Sequence, residues 1–196
     1  LDFKFYSINE KDEEVVLSLK QYYLTTKTSI TNLYISKLGN EIFNGNIENV
    51  SGISDPSFIE INGLEGVYLA HRLMNESLQT VISFNSGSHW HLISNPSNAL
   101  TFNFQDKNYQ ENLRKSCKNN DCHLNLTNIR QMENMNIGTL LSNGFISNFD
   151  YSLERKYNLF ISKDAGLTWN IIFEGETVYQ ISNSVIVISS KDFRNK

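Results

Sequence analysis

Apolar residues along this chain come in short runs set between polar stretches. "FKFYSI", "EEVVLSLKQYYL" and "NLYIS" come first, then "FIEING" and "GVYLAHRL". "GTLLSNGFIS", "NLFIS", "WNIIFEG", "TVYQIS" and "SVIVISS" follow. Val, Ile, Tyr and Phe dominate these runs, and they are the residues that fit a pleated, half-buried surface. No apolar stripe with a 3.6-residue period runs long enough to favour helix. The pattern predicts an all-β protein of short strands.

Two of the strand pairs share one plan. "SKDAGLTW" carries Ser162, Asp164, Gly166 and Trp169, and "SFNSGSHW" carries Ser83, Asn85, Gly87 and Trp90. Both fit S-x-[DN]-x-G-x-x-W. A decayed copy in "YISKLGNEIF" keeps Ser36 and Phe43 at the same interval but has Leu38 and Asn40 at the acidic and glycine positions. Each residue has a task in a hairpin turn. The Asp or Asn side chain accepts hydrogen bonds from turn N–H groups. Gly takes a positive φ. Ser ties its hydroxyl into the same turn, and Trp covers it while packing inward. These roles are structural, so Asp164 is not expected to be catalytic.

The spacing sets the architecture. Ser36 and Ser83 are 47 residues apart, and Ser83 and Ser162 are 79 apart. One four-stranded propeller blade takes about 40–50 residues. The second interval is therefore one blade plus an insertion, and insertions sit in loops. The expected organisation is a blade with a decayed turn over 1–50, a blade over 51–95 and an inserted cysteine-bearing loop over 96–135. A further blade covers 136–175, and the start of another covers 176–196. Three to four blades do not close a propeller, so the chain reads as an arc of a larger one, with the remaining blades as its nearest partners.

Composition narrows the function. With 196 residues, 40% of them hydrophobic, the chain can bury an ordinary core. Net charge is −4 and no Lys/Arg block stands out, which argues against a nucleic-acid partner. The acidic run Glu10–Glu14 reads as a solvated turn. No run nears the length of a membrane span and no signal-type segment opens the chain, so membrane attachment would lie in segments outside it. Cys117 and Cys122 sit in a polar loop, "SCKNNDCHLNL". A disulfide closing this small ring is the favoured reading and implies an oxidising compartment. Two free thiols remain open, and the spacing fits poorly with a zinc site. Asn49, Asn75 and Asn125 head Asn-x-Ser/Thr acceptor patterns, no more than 26 Asn and 32 Ser plus Thr give by chance. They become glycosylation candidates only if the chain is secreted. No cofactor or metal is expected. His89 and His91 are expected on one strand face, without a third ligand nearby.

The octets are Asp-box turns, which occur in sialidases, other hydrolases and sorting receptors. Their order with "FYSI", "NLYIS", "GLEGVYLA", the loop ending "CHLNL" and "GTLLSNG" resembles the later blades of the ten-bladed propeller of sortilin-type (vacuolar protein sorting) receptors. The resemblance covers nearly the whole chain, and it implies a luminal receptor part. Such receptors bind propeptides, peptides or hydrolases at the propeller tunnel and carry them from Golgi to endosome, vacuole or lysosome. A homodimer is a further partner to expect. In that family the "FYSI" strand contacts the peptide, so Tyr6 and Ile8 are the transferable candidates, with core packing as their alternative. Acid-triggered cargo release through His71, His89 or His91 is a hypothesis on the same footing. Two rivals stand against this reading. One is a structural or adhesive propeller subunit. The other is a sialidase-like glycosidase, for which Arg72, Arg114, Arg130, Arg155 and Arg194 make a poor carboxylate-gripping set.

Overall fold

A computed structural model describes residues 2–9, 14–23, 28–37, 39, 42–43, 45–50, 58–74, 77–118, 122–132, 137–148, 153–182 and 185–190. Two compact units divide the chain, Leu1–Leu92 and Ile93–Lys196. Among the described residues the fold is all-β with one short helix, and its sheets are antiparallel.

The first unit holds two four-stranded sheets. One runs in the order β1 (Asp2–Asn9), β2 (Glu14–Tyr23), β3 (Thr28–Lys37), β4 (Gly45–Ile47). The other runs β5 (Phe58–Glu60), β6 (Tyr68–Met74), β7 (Ser77–Ser83), β8 (His91–Leu92). Strands adjacent in sequence are adjacent in space, the meander of a propeller blade. The period of two in a strand puts Leu33 and Ile35 of β3 on one face, where Val16 of β2 joins them. This face packs with Ile47, Val50, Tyr68, Ala70 and Val81 into one core, against which Phe58, Trp90 and Leu92 lean. Val50 bridges Arg72, and the Leu73 amide donates to the Asn49 carbonyl at 2.8 Å, so backbone bonds also join the sheets. Glu14 corrects one expectation. It opens β2 with only 2% of its surface exposed and accepts a hydrogen bond from Ser86 Oγ at 3.1 Å. Residues 10–13 of the acidic run lie outside the described residues.

The second unit opens with the stretch expected to be an inserted loop over 96–135. A different arrangement is found. Helix α1 (Lys107–Ser116) is followed by β9 (Cys122–Gln131), and β9 is the edge strand of a sheet that runs β12 (Asn170–Glu174), β11 (Tyr157–Ser162), β10 (Leu140–Asn148), β9. The blade therefore begins at Cys122, not at 136. The helix was hidden because it buries only one short face, Tyr109, Gln110 and Leu113. Asp106 starts it by accepting from the Asn108 and Tyr109 amides at 2.9 and 3.1 Å, and it also pairs with Lys156. Phe104 and Tyr109 meet edge to face at 5.1 Å, both fully buried.

The remainder of that stretch covers an open sheet edge. Asn98 Nδ2 donates to the Ile171 carbonyl at 2.9 Å, while its Oδ1 accepts from the Ile171 amide at 2.8 Å. One side chain thus supplies the two bonds that a neighbouring strand would give β12. The last of the described residues form a hairpin, β13 (Thr177–Ser182) and β14 (Val185–Ser190). Ile186, Ile188 and Tyr179 pack on Met132, Leu141 and Leu159.

Every residue of β10 is buried, four of them polar: Ser142, Asn143, Ser147 and Asn148. The register against β9 slips between Asn143 and Gly144. At that slip a Cβ on Gly144 would stand 2.3 Å from the Asn125 carbonyl oxygen, which only glycine avoids. Gly144→Ala is expected to destabilise the protein by about 1–3 kcal/mol, the usual range for overpacking. Chemical denaturation of the two forms measures it.

Candidate functional site

The turns that carry the repeat are built alike. In the second unit Ser162 Oγ accepts from the Gly166 amide at 2.8 Å and donates to Asp164 Oδ1 at 2.8 Å. Asp164 accepts from the Thr168 amide at 2.9 Å and the Thr168 hydroxyl at 2.6 Å. Trp169, 1% exposed, donates its indole N–H to the Gly166 carbonyl at 3.0 Å. In the first unit Ser83 accepts from Gly87 at 3.0 Å, and Asn85 Oδ1 accepts from the His89 amide at 2.9 Å. An amide oxygen has replaced a carboxylate without losing the geometry. Trp90 is only partly buried, and its indole N–H meets no acceptor among the described residues. In the decayed copy Ser36 Oγ instead donates to the Ile42 carbonyl at 2.7 Å, and Phe43 is 40% exposed. Leu38 and Asn40 lie outside the described residues.

Sequence reading assigned one positive φ per turn, and the structure has two. Ser86 and Gly87 stand at +52° and +77°, Ala165 and Gly166 at +59° and +89°. With the Ser88→Asn85 and Leu167→Asp164 backbone bonds, these are turns of the I′ kind. A side chain at positive φ costs about 1–2 kcal/mol. Two glycines that the sequence reading quoted without a role hold these residues in place. The Gly66 carbonyl accepts from Ser86 N and the Gly138 carbonyl from Ala165 N, each at 2.9 Å. Both glycines have positive φ, and a Cβ on them would stand 2.7 Å from Ser86 Oγ or 2.9 Å from Ala165 N.

Cys117 and Cys122 are joined, with Cα atoms 5.0 Å apart, and the bond ties the end of α1 to the start of β9. Among the acceptor asparagines, Asn75 lies outside the described residues. Asn49 is half-buried and gives its side-chain N–H to the Leu73 carbonyl. Asn125 is fully buried, and its amide nitrogen bonds Ser147. That leaves Asn125 itself no exposed surface at which to carry a glycan.

The histidines do not form the expected pair. His89 lies in the turn and only His91 in β8, while His71 is buried. Among the described residues no three His, Cys, Asp or Glu gather as metal ligands. Arg72 bonds Gln79, Arg114 bonds the Leu100 carbonyl and Arg155 lies over the Phe145 ring, each within its own unit. Arg194 lies outside the described residues.

Tyr6 and Ile8 fall on β1, an edge strand of its sheet. Their side chains are outside the described residues, but the backbone is informative. Phe5 pairs Leu17 and Ser7 pairs Val16, so Tyr6 is the extra residue of a β-bulge. Ile8 is back in register with Val15. The first strand of the later blade repeats the device: in β9, Thr127 is the extra residue between Leu126 and Asn128. Beside that second bulge lies a polar concavity of about 200 Å³, lined by Thr127, Asn128, Arg130, Glu176 and Tyr179 among others. Burial pushes the Tyr179 phenol up to about 12 against the opposing pull of the Arg130 charge.

Blade-like four-stranded meanders with Asp-box turns define a β-propeller segment. The family model Sortilin-Vps10, described as sortilin, neurotensin receptor 3, matches residues 3–195, and the chain belongs to that family. It is 26% identical to the human VPS10 domain-containing receptor SorCS2 over 68% of this chain and 12% of that protein. It is also 26% identical to human SorCS1, over 92% of this chain and 16% of that protein. Vacuolar protein sorting/targeting protein 10 of Ajellomyces capsulatus (strain NAm1 / WU24) is 24% identical over 76% of the chain, which spans 11% of its length. The chain is thus a small part of the length of each of these relatives.

Two outcomes are expected of this geometry. Asp164→Asn should keep near-parental stability at neutral pH, because Asn85 already performs the same task, whereas Asp164→Ala should lower the midpoint of thermal unfolding. Partial burial raises the Asp164 pKa, but the hydrogen bonds from Thr168 and Ser162 outweigh it and hold the carboxyl below its usual value. Its stabilisation is present above the usual carboxylate range and fades as pH falls through the lowered folded value, a loss that Asp164→Asn should not show. His123 acts at higher pH. Burial pushes its pKa down, so the unfolded chain takes up a proton first. Stability should fall as pH drops below about 6.5, the usual histidine value, toward the folded one. His123→Gln should flatten that slope in unfolding midpoints measured from pH 7 to 5.

Proposed function

We propose that this chain is part of the luminal propeller of a sortilin-type sorting receptor. It binds peptide or protein cargo, propeptides and hydrolases among them, for transport from Golgi to endosome and vacuole or lysosome. The observation that carries this reading is the family match over residues 3–195. Two related receptors are named for the VPS10 domain and a third for vacuolar sorting. In this reading membrane attachment comes from other segments, since no helix among the described residues is long and apolar enough to cross a bilayer.

Binding rather than catalysis is the proposed activity, because the well-placed carboxylates have structural work. Asp164 is held within its turn and Asp106 caps α1. Glu14 is buried against Ser86, and Glu174 accepts from the Gln105 amide. A sialidase-like site needs such groups free to reach a sugar. The cargo strand is β1, where the bulge at Tyr6 breaks the ladder at a sheet edge and redirects the chain beside Ile8.

The test uses the complete luminal region, immobilised and exposed to synthetic propeptides of vacuolar hydrolases at neutral pH. Tyr6→Ala is expected to weaken binding about tenfold, or 1.4 kcal/mol, with thermal stability retained. Ile8→Ala should weaken it less. Turnover of a fluorogenic sialoside, or propeptide binding indifferent to both substitutions, would sink the proposal.

A further inference from the structure

Asn-Gly pairs occur at 44–45, 62–63 and 143–144. Asn44 lies outside the described residues. Asn143 is buried in β10, and its side chain is held to Thr177 by hydrogen bonds at 3.1, 2.9 and 2.9 Å. Asn62 and Gly63, by contrast, are both exposed, in the loop between β5 and β6. The Leu64 amide donates to the Ile61 carbonyl at 3.0 Å, and Gly63 stands at φ +81°, so the pair forms the centre of a type II turn. No hydrogen bond from the Gly63 amide is found among the described residues. Behind this turn the Ile61 amide donates to the Val67 carbonyl at 3.0 Å and closes the loop, whose Gly66 carbonyl holds the Ser86 amide at 2.9 Å.

We propose that Asn62 is a modification site, which deamidates spontaneously in the folded protein through a cyclic imide closed by the Gly63 nitrogen. That nitrogen attacks Asn62 Cγ, and the new C–N bond makes a succinimide ring. The Cγ–Nδ2 bond breaks, and Nδ2 leaves as ammonia with the proton of the Gly63 amide. Water then opens the ring at either imide carbonyl. One opening gives aspartate. The other gives isoaspartate, in which the main chain runs through the side-chain carbon. The step is fast because the nucleophile is the adjacent residue of the same chain. Glycine favours it, since no Cβ crowds the attacking nitrogen and its backbone bends readily. The new bond forms at Cγ, so hydrogen bonds of the side-chain amide do not forbid it. Attack requires the Asn62 main chain to swing out of its turn, which an exposed loop permits and the buried ladder of β10 does not. Isoaspartate lengthens the main chain of a loop pinned at its base, and this draws Gly66 away from Ser86. The modification therefore marks the age of a molecule and loosens the turn built on Ser83 and Asn85.

The test incubates the intact protein at neutral and mildly alkaline pH and maps its peptides by mass spectrometry. Isoaspartate is read with an isoaspartyl methyltransferase and labelled S-adenosylmethionine. Asn62 is expected to convert about tenfold faster than Asn143, faster still at the higher pH, with isoaspartate among the products. Gly63→Ala should slow the conversion, and Asn62→Gln should remove the methyl-accepting site while keeping the fold. Asn62 left intact while Asn143 of the urea-unfolded chain converts overturns the site. Aspartate formed without isoaspartate also overturns it, because direct hydrolysis would then replace the imide. Equal conversion of Asn143 in the folded protein does the same, because the reaction would then belong to unfolded molecules. The isoaspartate form is expected to unfold at a lower midpoint than Asn62→Asp, and equal midpoints overturn the link to the Ser86 turn.

Discussion

A two-residue turn between antiparallel strands leaves backbone N–H groups that no partner strand can reach, and in this chain a serine and an acidic or amide side chain meet them. Ser162 and Asp164 take two amides and one hydroxyl of their turn, and Ser83 and Asn85 take the two corresponding amides in the other unit. Leaving a buried one of these, the Gly166 or Gly87 amide, unmet costs about 1–3 kcal/mol, a large fraction of a domain's net stability. The turns also hold Ser86 and Ala165 at positive φ, a strain that persists because each amide is fastened to a glycine carbonyl. Glycine is needed at 66 and 138 as much for what stands opposite as for its own backbone. The outer hairpins of two sheets depend on this one piece of hydrogen-bond accounting.

The same accounting explains the edges. The outer strand β12 is closed by Asn98, and β13 is clasped to the interior by Asn143. Satisfied polar groups in a low-dielectric interior hold a structure in one arrangement. That is how β10 can bury four polar residues in nine and still form the middle of a sheet. The first strands β1 and β9 are edges of another kind, each interrupted by a bulge. An interrupted edge keeps backbone groups and a redirected side chain available, which suits binding. Asp164, Asp106 and Glu14, by contrast, are built into a turn, a helix cap and a strand start.

Much of this was legible in residue order. Two intact octets and a decayed one fixed the blade interval, and the period-two runs fixed strand as the dominant element, because turn chemistry and alternation are local properties. The cysteine pair was legible for a related reason, since both lie close together in one polar loop, five residues apart. Local patterns failed where a segment's role depends on what lies across from it. "CHLNLTNIR" looked like the end of a loop, yet it is a strand, because β10 offers it a ladder. Helix α1 shows too narrow an apolar face to be seen, and is held by Asp106, Lys156 and a disulfide. Glu14 looked solvated, but Ser86 lies 72 residues away and covers it.

By itself the sequence determined the strand content, the turn chemistry and the family, since all three are written in short spacings that survive without knowledge of distant neighbours. Tertiary structure alone decided which glycines face a strained turn, which asparagine stands in for a strand, and which asparagine clasps the last hairpin to the sheet. Those outcomes depend on pairs of residues dozens of positions apart, such as Asn98 with Ile171 or Asn143 with Thr177, and their contact is created only when the sheets register.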